Sequence, residues 1–130
     1  MASDLSPAEQ VMALTAPMLN QKLFVMLRTT VRPELMTDEL LAAHLRWMVA
    51  QEARGAIFAS GPFVVPGKAR GMAGGMTIVR AVDEHEATAI IDTDPFIANG
   101  AVEYELRTWM LMEGGFRLNI NYSTGQFQLG

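Results

Sequence analysis

The sequence has 130 residues, of which half are hydrophobic and 18% are charged, so it predicts one domain with a substantial apolar core. Ten basic side chains against 14 acidic ones give a formal net charge of −4, which argues against nucleic-acid binding because phosphate contacts need clustered cations. The absence of cysteine excludes disulfide scaffolds, zinc fingers, iron–sulfur ligation and thiol catalysis. With only two histidines, His44 and His85, a dedicated transition-metal site is not expected.

The chain shows no pattern of a membrane or secreted protein. No apolar run reaches the roughly 20 residues needed to span a bilayer. The first basic residue is Lys22, so the charged region that opens a secretory signal is missing. We therefore expect a cytoplasmic protein.

Residues 1–21 are expected to form an extension with a short helix. Ser6-Pro7-Ala8-Glu9 has the form of a capping box with proline at the first helical position, and Pro17 limits the helix to a few turns. Such a terminal segment is either an arm that covers another surface or a partly ordered tail.

The segment Leu23–Leu27 is continuously apolar, which is typical of a strand buried on both faces. If helices cover one face of its sheet, a second subunit or a ligand must cover the other face.

A helix is predicted from about Asp38 to Arg54. Thr37 is a good N-cap, and Gly55 is placed to end the helix. The helical periodicity puts His44 at the edge of the buried face rather than in open solvent.

Two short strands are predicted on either side of a glycine-rich loop. Ala56–Ser60 has the composition of a strand that Gly61-Pro62 stops, and Met76–Arg80 is the strand that leaves the loop. The loop carries Lys68 and Arg70. It is either a lid over an anionic substrate or a solvated connection.

The last third of the chain predicts a helix, a strand and a hairpin. The helix opens at Asp83 and ends before Asp94-Pro95, because a residue before proline is biased out of the helical region. Val102–Leu111 alternates in the manner of a strand with two different faces. After Gly115, two short strand-like pieces predict a C-terminal hairpin.

The order strand, helix, strand, strand, helix, strand predicts an α+β fold of the ferredoxin-like, split βαβ type. Both helices lie on one face of a four-stranded antiparallel sheet, with residues 22–112 as the domain and residues 113–130 as a tail. The other face of the sheet is apolar enough to need a partner, so we expect a homodimer that forms an α+β barrel with room for a small ligand.

Four short motifs then point to a family. They are Lys22–Leu27 as the first strand, His44-Leu45 in the first helix, Ser60-Gly61-Pro62 at the end of the second strand, and Asp94-Pro95-Phe96 after the second helix. In this order and spacing the chain resembles the YCII-related proteins of the dimeric α+β barrel superfamily, from about residue 22 to residue 110. The N-terminal extension, a longer loop after the second strand and the C-terminal tail depart from the family pattern.

The resemblance implies a histidine–aspartate pair in a small cleft, here His44 and Asp94. It also implies cofactor-free reactions on small ring compounds. These include the dehydrochlorination of a chlorinated hydroxyhydroquinone, and the related muconolactone isomerases share the barrel.

The chemistry of the residues leaves two interpretations of this pair open. A carboxylate on the far nitrogen of a histidine fixes the tautomer, so that the histidine abstracts a proton and returns it elsewhere. Alternatively, His44 is a hydrogen-bonded histidine at the edge of a helix, and Asp94 caps the turn before Pro95.

Four further residues are candidate substrate contacts: Ser60, Arg28, Phe58 and Phe96. Each also has a structural interpretation, as a turn residue, a charge at a strand end, or a core aromatic residue. A Ser–His–Asp hydrolase is rejected because Ser60 does not lie in the G-x-S-x-G sequence of a nucleophile elbow.

The resulting hypothesis is a cofactor-free lyase or isomerase that acts on a small cyclic or aromatic metabolite, with no nucleic-acid or membrane partner. The alternative is a non-catalytic dimer that binds a small ligand or has a regulatory role, since one fold hosts many functions.

Overall fold

The computed structural model describes residues 4–130 of the chain. Lys22–Met110 forms one compact unit, and the segments on either side of it form another. The elements in chain order are α1 (Pro7–Thr15), β1 (Gln21–Thr30), a short 3₁₀ turn (Pro33–Leu35), α2 (Asp38–Ala53), β2 (Ile57–Pro62), β3 (Gly75–Val79), α3 (Glu84–Ile91), α4 (Pro95–Ala98), β4 (Val102–Leu111), β5 (Leu118–Ile120) and β6 (Phe127–Leu129).

The first unit contains a four-stranded sheet with the strand order β2-β3-β1-β4. Strand β3 pairs antiparallel with both β1 and β2. The order and direction of these strands, with helices between them, confirm the predicted α+β fold of the split βαβ type.

Strand β1 is the centre of the core. Phe24 and Met26 are buried on the face that packs against the helices, where they join Val79 of β3 and Ile91 of α3 in one apolar cluster. Leu23 is also buried. The continuous apolar run predicted a strand buried on both faces, and on the face of Leu23 the side chains of Val25 and Leu27 are only half-buried.

Helix α2 begins where its capping residue predicts. The Thr37 hydroxyl accepts a hydrogen bond from the Leu40 backbone N–H at 3.2 Å, which satisfies one of the free donors of the first turn. The helix ends at Ala53, one residue before the predicted end. His44 is only 4% exposed, so it is more deeply buried than the helical periodicity alone indicated.

Helix α3 ends at Ile91, and a second short helix that the sequence analysis did not predict follows it. Asp94 caps this helix: its Oδ1 accepts a hydrogen bond from the backbone N–H of Phe96 at 3.0 Å. Pro95 occupies the first helical position, where its missing N–H costs nothing.

Strand β2 extends beyond its predicted end at Ser60. Gly61 pairs with Met76 and Pro62 with Gly75, so the Gly-Pro pair belongs to the ladder instead of stopping it. Because β2 lies at the edge of the sheet, the proline there removes no hydrogen bond to a further strand.

The terminal segments contain the predicted helix and hairpin. In α1 the Ser6 hydroxyl accepts from the Glu9 N–H, and the Glu9 carboxylate accepts from the Ser6 N–H, as a capping box requires. Strands β5 and β6 pair antiparallel, with Ile120 opposite Phe127. Within residues 4–130, none of the helices is both long enough and apolar enough to cross a membrane.

Candidate functional site

Four polar side chains are buried in the described part of the chain: Arg28, His44, Thr77 and Asp94. Each is less than a tenth exposed, and all four belong to the unit formed by Lys22–Met110. Burial of a polar group costs free energy unless the group is hydrogen-bonded, so the partners of these four residues define the site.

His44 and Asp94 form the first hydrogen-bonded pair. The His44 Nδ1 lies 2.8 Å from the Asp94 Oδ1, which also holds the Phe96 backbone N–H. The Phe96 ring stacks on the imidazole with 3.8 Å between the centroids and 3° between the planes. The capping turn of α4 therefore fixes both the carboxylate and the ring against which the imidazole packs.

This geometry determines the tautomer of a neutral His44. An ionised carboxylate only accepts hydrogen bonds, so Nδ1 carries the hydrogen and Nε2 carries the lone pair. The His44 Nε2 has no hydrogen-bond partner within residues 4–130. It is therefore free to accept a proton from a molecule in the neighbouring cavity.

The second Asp94 carboxylate oxygen, Oδ2, is buried without a hydrogen-bond partner in the described chain. The negative charge of Asp94 is nevertheless opposed by Arg28. Burial lowers the pKa of the Arg28 guanidinium from its ordinary value, and the charge of Asp94 partly offsets that effect. The buried cation and anion thus belong to one electrostatic environment.

Arg28, Thr77 and Ser60 form the second hydrogen-bonded group. The Arg28 Nη1 donates to the Thr77 Oγ1 at 3.1 Å, and the Thr77 Oγ1 lies 2.8 Å from the Ser60 Oγ. Gly75 lies opposite Arg28 in the β1–β3 ladder, and a Cβ atom there would collide with the guanidinium. The absence of a side chain at Gly75 makes room for the buried cation.

The two groups meet at a cavity of about 130 Å³, which is lined by Arg28, Leu41, His44, Leu45, Ser60, Gly61, Pro62, Arg70, Gly71 and Phe96. Its size is similar to that of an engineered apolar cavity of about 150 Å³ that holds benzene. The cavity volume is therefore in the range that one small ring would need.

Five of the six candidate residues lie together at this cavity. Arg28, His44, Ser60 and Phe96 line it, and Asp94 contacts the far side of His44.

Phe58 does not line the cavity. Ser60 pairs with Thr77 and Ile57 with Val79, so Ile57 and Ser60 share a face although they are three residues apart. The β-bulge between Ile57 and Ala59 causes this shift and turns Phe58 to the opposite face. There the guanidinium of Arg80 lies 5.3 Å from the Phe58 ring centroid.

The loop between β2 and β3 contributes one of its two cations. Arg70 lines the cavity, whereas Lys68 lines a separate depression formed by the loop itself. The loop is tied to the end of β1 because the Thr30 hydroxyl donates to the Gly71 carbonyl at 2.8 Å. Arg70 is exposed, so its charge is presented at the rim of the cavity.

Thr77 is a further residue of the site that was not predicted from the sequence. A threonine between apolar residues has the composition of an ordinary strand, and only its burial together with Arg28 reveals it as part of the site. The described residues contain no cluster of three or more histidine, aspartate or glutamate side chains that could hold a metal ion.

Comparisons with known proteins agree with the fold. The sequence matches the YCII-related domain over residues 23–110. No curated protein matches the chain. A similar solved structure is 5-chloro-2-hydroxyhydroquinone dehydrochlorinase from Burkholderia phenoliruptrix AC1100, in complex with 2,5-dihydroxybenzoquinone. The two sequences are 25% identical, with a TM-score of 0.56, over 67% of this chain and 92% of the dehydrochlorinase.

Proposed function

The chain belongs to the YCII-related family, and we propose that it is a cofactor-free lyase or isomerase that acts on a small cyclic or aromatic metabolite. The observation that carries the proposal is the hydrogen bond of 2.8 Å between His44 and Asp94 beside a cavity of about 130 Å³. A buried, paired histidine that lines a cavity and keeps one ring nitrogen without a partner in the described chain suits proton transfer at neutral pH.

In the proposed mechanism, His44 is the general base and then the general acid. Its Nε2 removes a proton from a hydroxyl group or from a carbon next to a carbonyl. The Asp94 carboxylate holds the imidazole in orientation and stabilises the imidazolium that forms. Phe96 keeps the ring plane fixed by stacking on it.

The dehydrochlorinase neighbour supports a lyase outcome of this chemistry. Loss of hydrogen chloride from a chlorinated polyhydroxybenzene takes place in two steps. The base takes a hydroxyl proton, and the ring is protonated at the carbon that bears chlorine. A second hydroxyl proton is then removed, its oxygen becomes a carbonyl, and chloride leaves with the electron pair of the carbon–chlorine bond, while the ring carbon keeps its new hydrogen. Without a leaving group, the same proton transfers isomerise the substrate.

The proposal includes a homodimer. The sheet face opposite the helices carries the partly exposed apolar side chains Phe58, Met76 and Trp109. A second copy packed on this face would cover them and complete a barrel. Analytical ultracentrifugation of the protein at micromolar concentration is expected to give twice the mass of the chain, and a monomer would contradict the dimer.

The enzymatic proposal is tested by turnover. Purified protein is incubated with 5-chloro-2-hydroxyhydroquinone under anaerobic conditions, and chloride release is measured. We expect release above the spontaneous rate, its loss in His44→Gln, and its retention in His85→Gln, because His85 is an exposed histidine of α3. Chloride release that persists in folded His44→Gln would contradict the role of His44. Tight binding of the compound without turnover would favour the non-catalytic alternative.

A further inference from the structure

Thr77 and Arg28 are the two buried polar residues of the described chain that the proposed chemistry leaves without a role, and the Thr77 hydroxyl is hydrogen-bonded to the Arg28 guanidinium. Its Oγ1 has two hydrogen-bond partners, the Arg28 Nη1 and the Ser60 Oγ. A threonine hydroxyl offers one hydrogen and two lone pairs. The direction of these two hydrogen bonds therefore determines what Ser60 presents to the cavity.

Arg28 fixes that direction. A guanidinium only donates, so Thr77 accepts from Arg28 and keeps its own hydrogen for another partner. Thr77 is 1% exposed, and the Ser60 Oγ is the acceptor within its reach. Because a buried hydroxyl hydrogen without an acceptor costs free energy, the satisfied arrangement has Thr77 donating to Ser60.

Ser60 consequently has its own hydroxyl hydrogen left over. Ser60 lines the cavity, so this hydrogen is available to a molecule bound there. The Arg28 guanidinium lines the same cavity. The Ser60 and Arg28 side chains are thus donors, whereas the His44 Nε2 is an acceptor.

We propose that Thr77 is a positioning residue that makes Ser60 a hydrogen-bond donor to a negatively charged oxygen of the substrate, either a phenolate or the enolate that forms during proton abstraction. The inference rests on the proposed function and names the substrate class: ring compounds whose oxygen carries negative charge before or during the reaction. Donors fixed in advance of the reaction stabilise such charge without reorganisation.

The test uses 4-nitrophenol as a probe, because it ionises near neutral pH and its phenolate absorbs visible light. The dissociation constant and the ionised fraction of the bound probe are measured by absorbance for the full-length protein. We expect preferential binding of the phenolate. Thr77→Val and Ser60→Ala should each weaken that binding about ten- to hundredfold, the effect of one hydrogen bond to a charged group.

Three controls separate positioning from a general structural effect. Thr77→Ser keeps the hydroxyl and should restore binding. Thr108→Val removes an exposed hydroxyl of another strand and should have no effect. In the Ser60→Ala background, most of the effect of Thr77→Val should disappear, because Thr77 acts through Ser60.

Several results would overturn the inference: no phenolate preference in the unmodified protein, wild-type affinity in Ser60→Ala, or an undiminished effect of Thr77→Val in the Ser60→Ala background. If Thr77→Val does not fold, the Ser60→Ala and Thr77→Ser results still decide the matter. His44→Gln separates the two proposals, since it should abolish turnover but keep the preference for phenolate.

Discussion

The Nδ1 atom of His44 and the Oδ1 atom of Asp94 lie 2.8 Å apart, although 50 positions separate the two residues in the chain. The same Oδ1 caps helix α4 by accepting from the Phe96 N–H. One carboxylate oxygen therefore performs both roles that the sequence leaves open, capping the turn and orienting the histidine. The structural and catalytic interpretations of Asp94 do not exclude each other.

Asp94→Asn is expected to remove the negative charge behind His44 while keeping its tautomer. An amide carbonyl at the position of Oδ1 still accepts from the Phe96 N–H and from the His44 Nδ1–H, but it does not stabilise the imidazolium that forms when Nε2 takes a proton. Turnover should therefore fall about 10²- to 10⁴-fold, the range of a general acid–base contribution. Imidazole ¹⁵N chemical shifts report the tautomer, with His85 as the internal reference. Unchanged turnover with the tautomer retained would show that the charge of Asp94 does not assist His44.

Arg70→Gln tests whether the rim of the cavity attracts anions. Arg70 lines the cavity and Lys68 does not, so Lys68→Gln is the matched control. Because Arg70 is exposed and screened, its loss should weaken 4-nitrophenolate binding only about two- to fivefold, and less at high salt. Equal effects of the two substitutions would mean that net charge, and not the position of Arg70, determines the affinity.

Gly75→Ala is expected to disturb the buried Arg28. A Cβ atom there would collide with the guanidinium and lie 2.7 Å from the Gly61 carbonyl oxygen. Overpacking of this kind costs about 1–3 kcal/mol, which urea unfolding detects. The control is Gly115→Ala, where the new Cβ meets no atom within 4 Å. If both variants unfold at the same urea concentration, the packing around Arg28 is looser than described.

The ionisation of Tyr104 is expected to lower the stability of the fold at high pH. Burial, and then its hydrogen bond of 2.8 Å to Asp92, raise the pKa of Tyr104 to about 12. The pKa of an unfolded tyrosine is about 10. The folded state therefore binds the Tyr104 proton more tightly than the unfolded state does. The resulting stabilisation of the fold is fully present below pH 10 and is lost as the pH rises toward 12. The free energy of unfolding, measured with urea between about pH 10 and pH 12, should fall in the natural protein and should fall less in Tyr104→Phe. Identical slopes would contradict the raised pKa.

The fold was predictable because its signals are local. Capping residues such as Thr37 and Asp83, together with the apolar run of β1, fix where helices and the central strand begin, and the order of elements then leaves few topologies. Helix α4 was missed because four residues are too few to show helical periodicity.

The site was predictable only in part. The pairing of His44 with Asp94 followed from the resemblance to a family, because nothing in the local sequence brings residues so distant in the chain together. Phe58 was predicted to contact the substrate but does not line this cavity, because the bulge in β2 shifts the alternation of the strand, and no residue type signals that shift. Thr77 was overlooked because its importance depends on a long-range contact with Arg28.

The most direct test of the central claim is a proton-transfer measurement that does not depend on a leaving group. The protein is incubated in D₂O with cyclohex-3-enone, a small cyclic β,γ-unsaturated ketone, and deuterium incorporation and formation of the conjugated isomer are followed by NMR. The account predicts that the natural protein accelerates both processes, that His44→Gln abolishes the acceleration, and that His85→Gln retains it. Acceleration that is undiminished in folded His44→Gln, or equally lost in His85→Gln, would contradict the assignment of His44 as the acid–base residue.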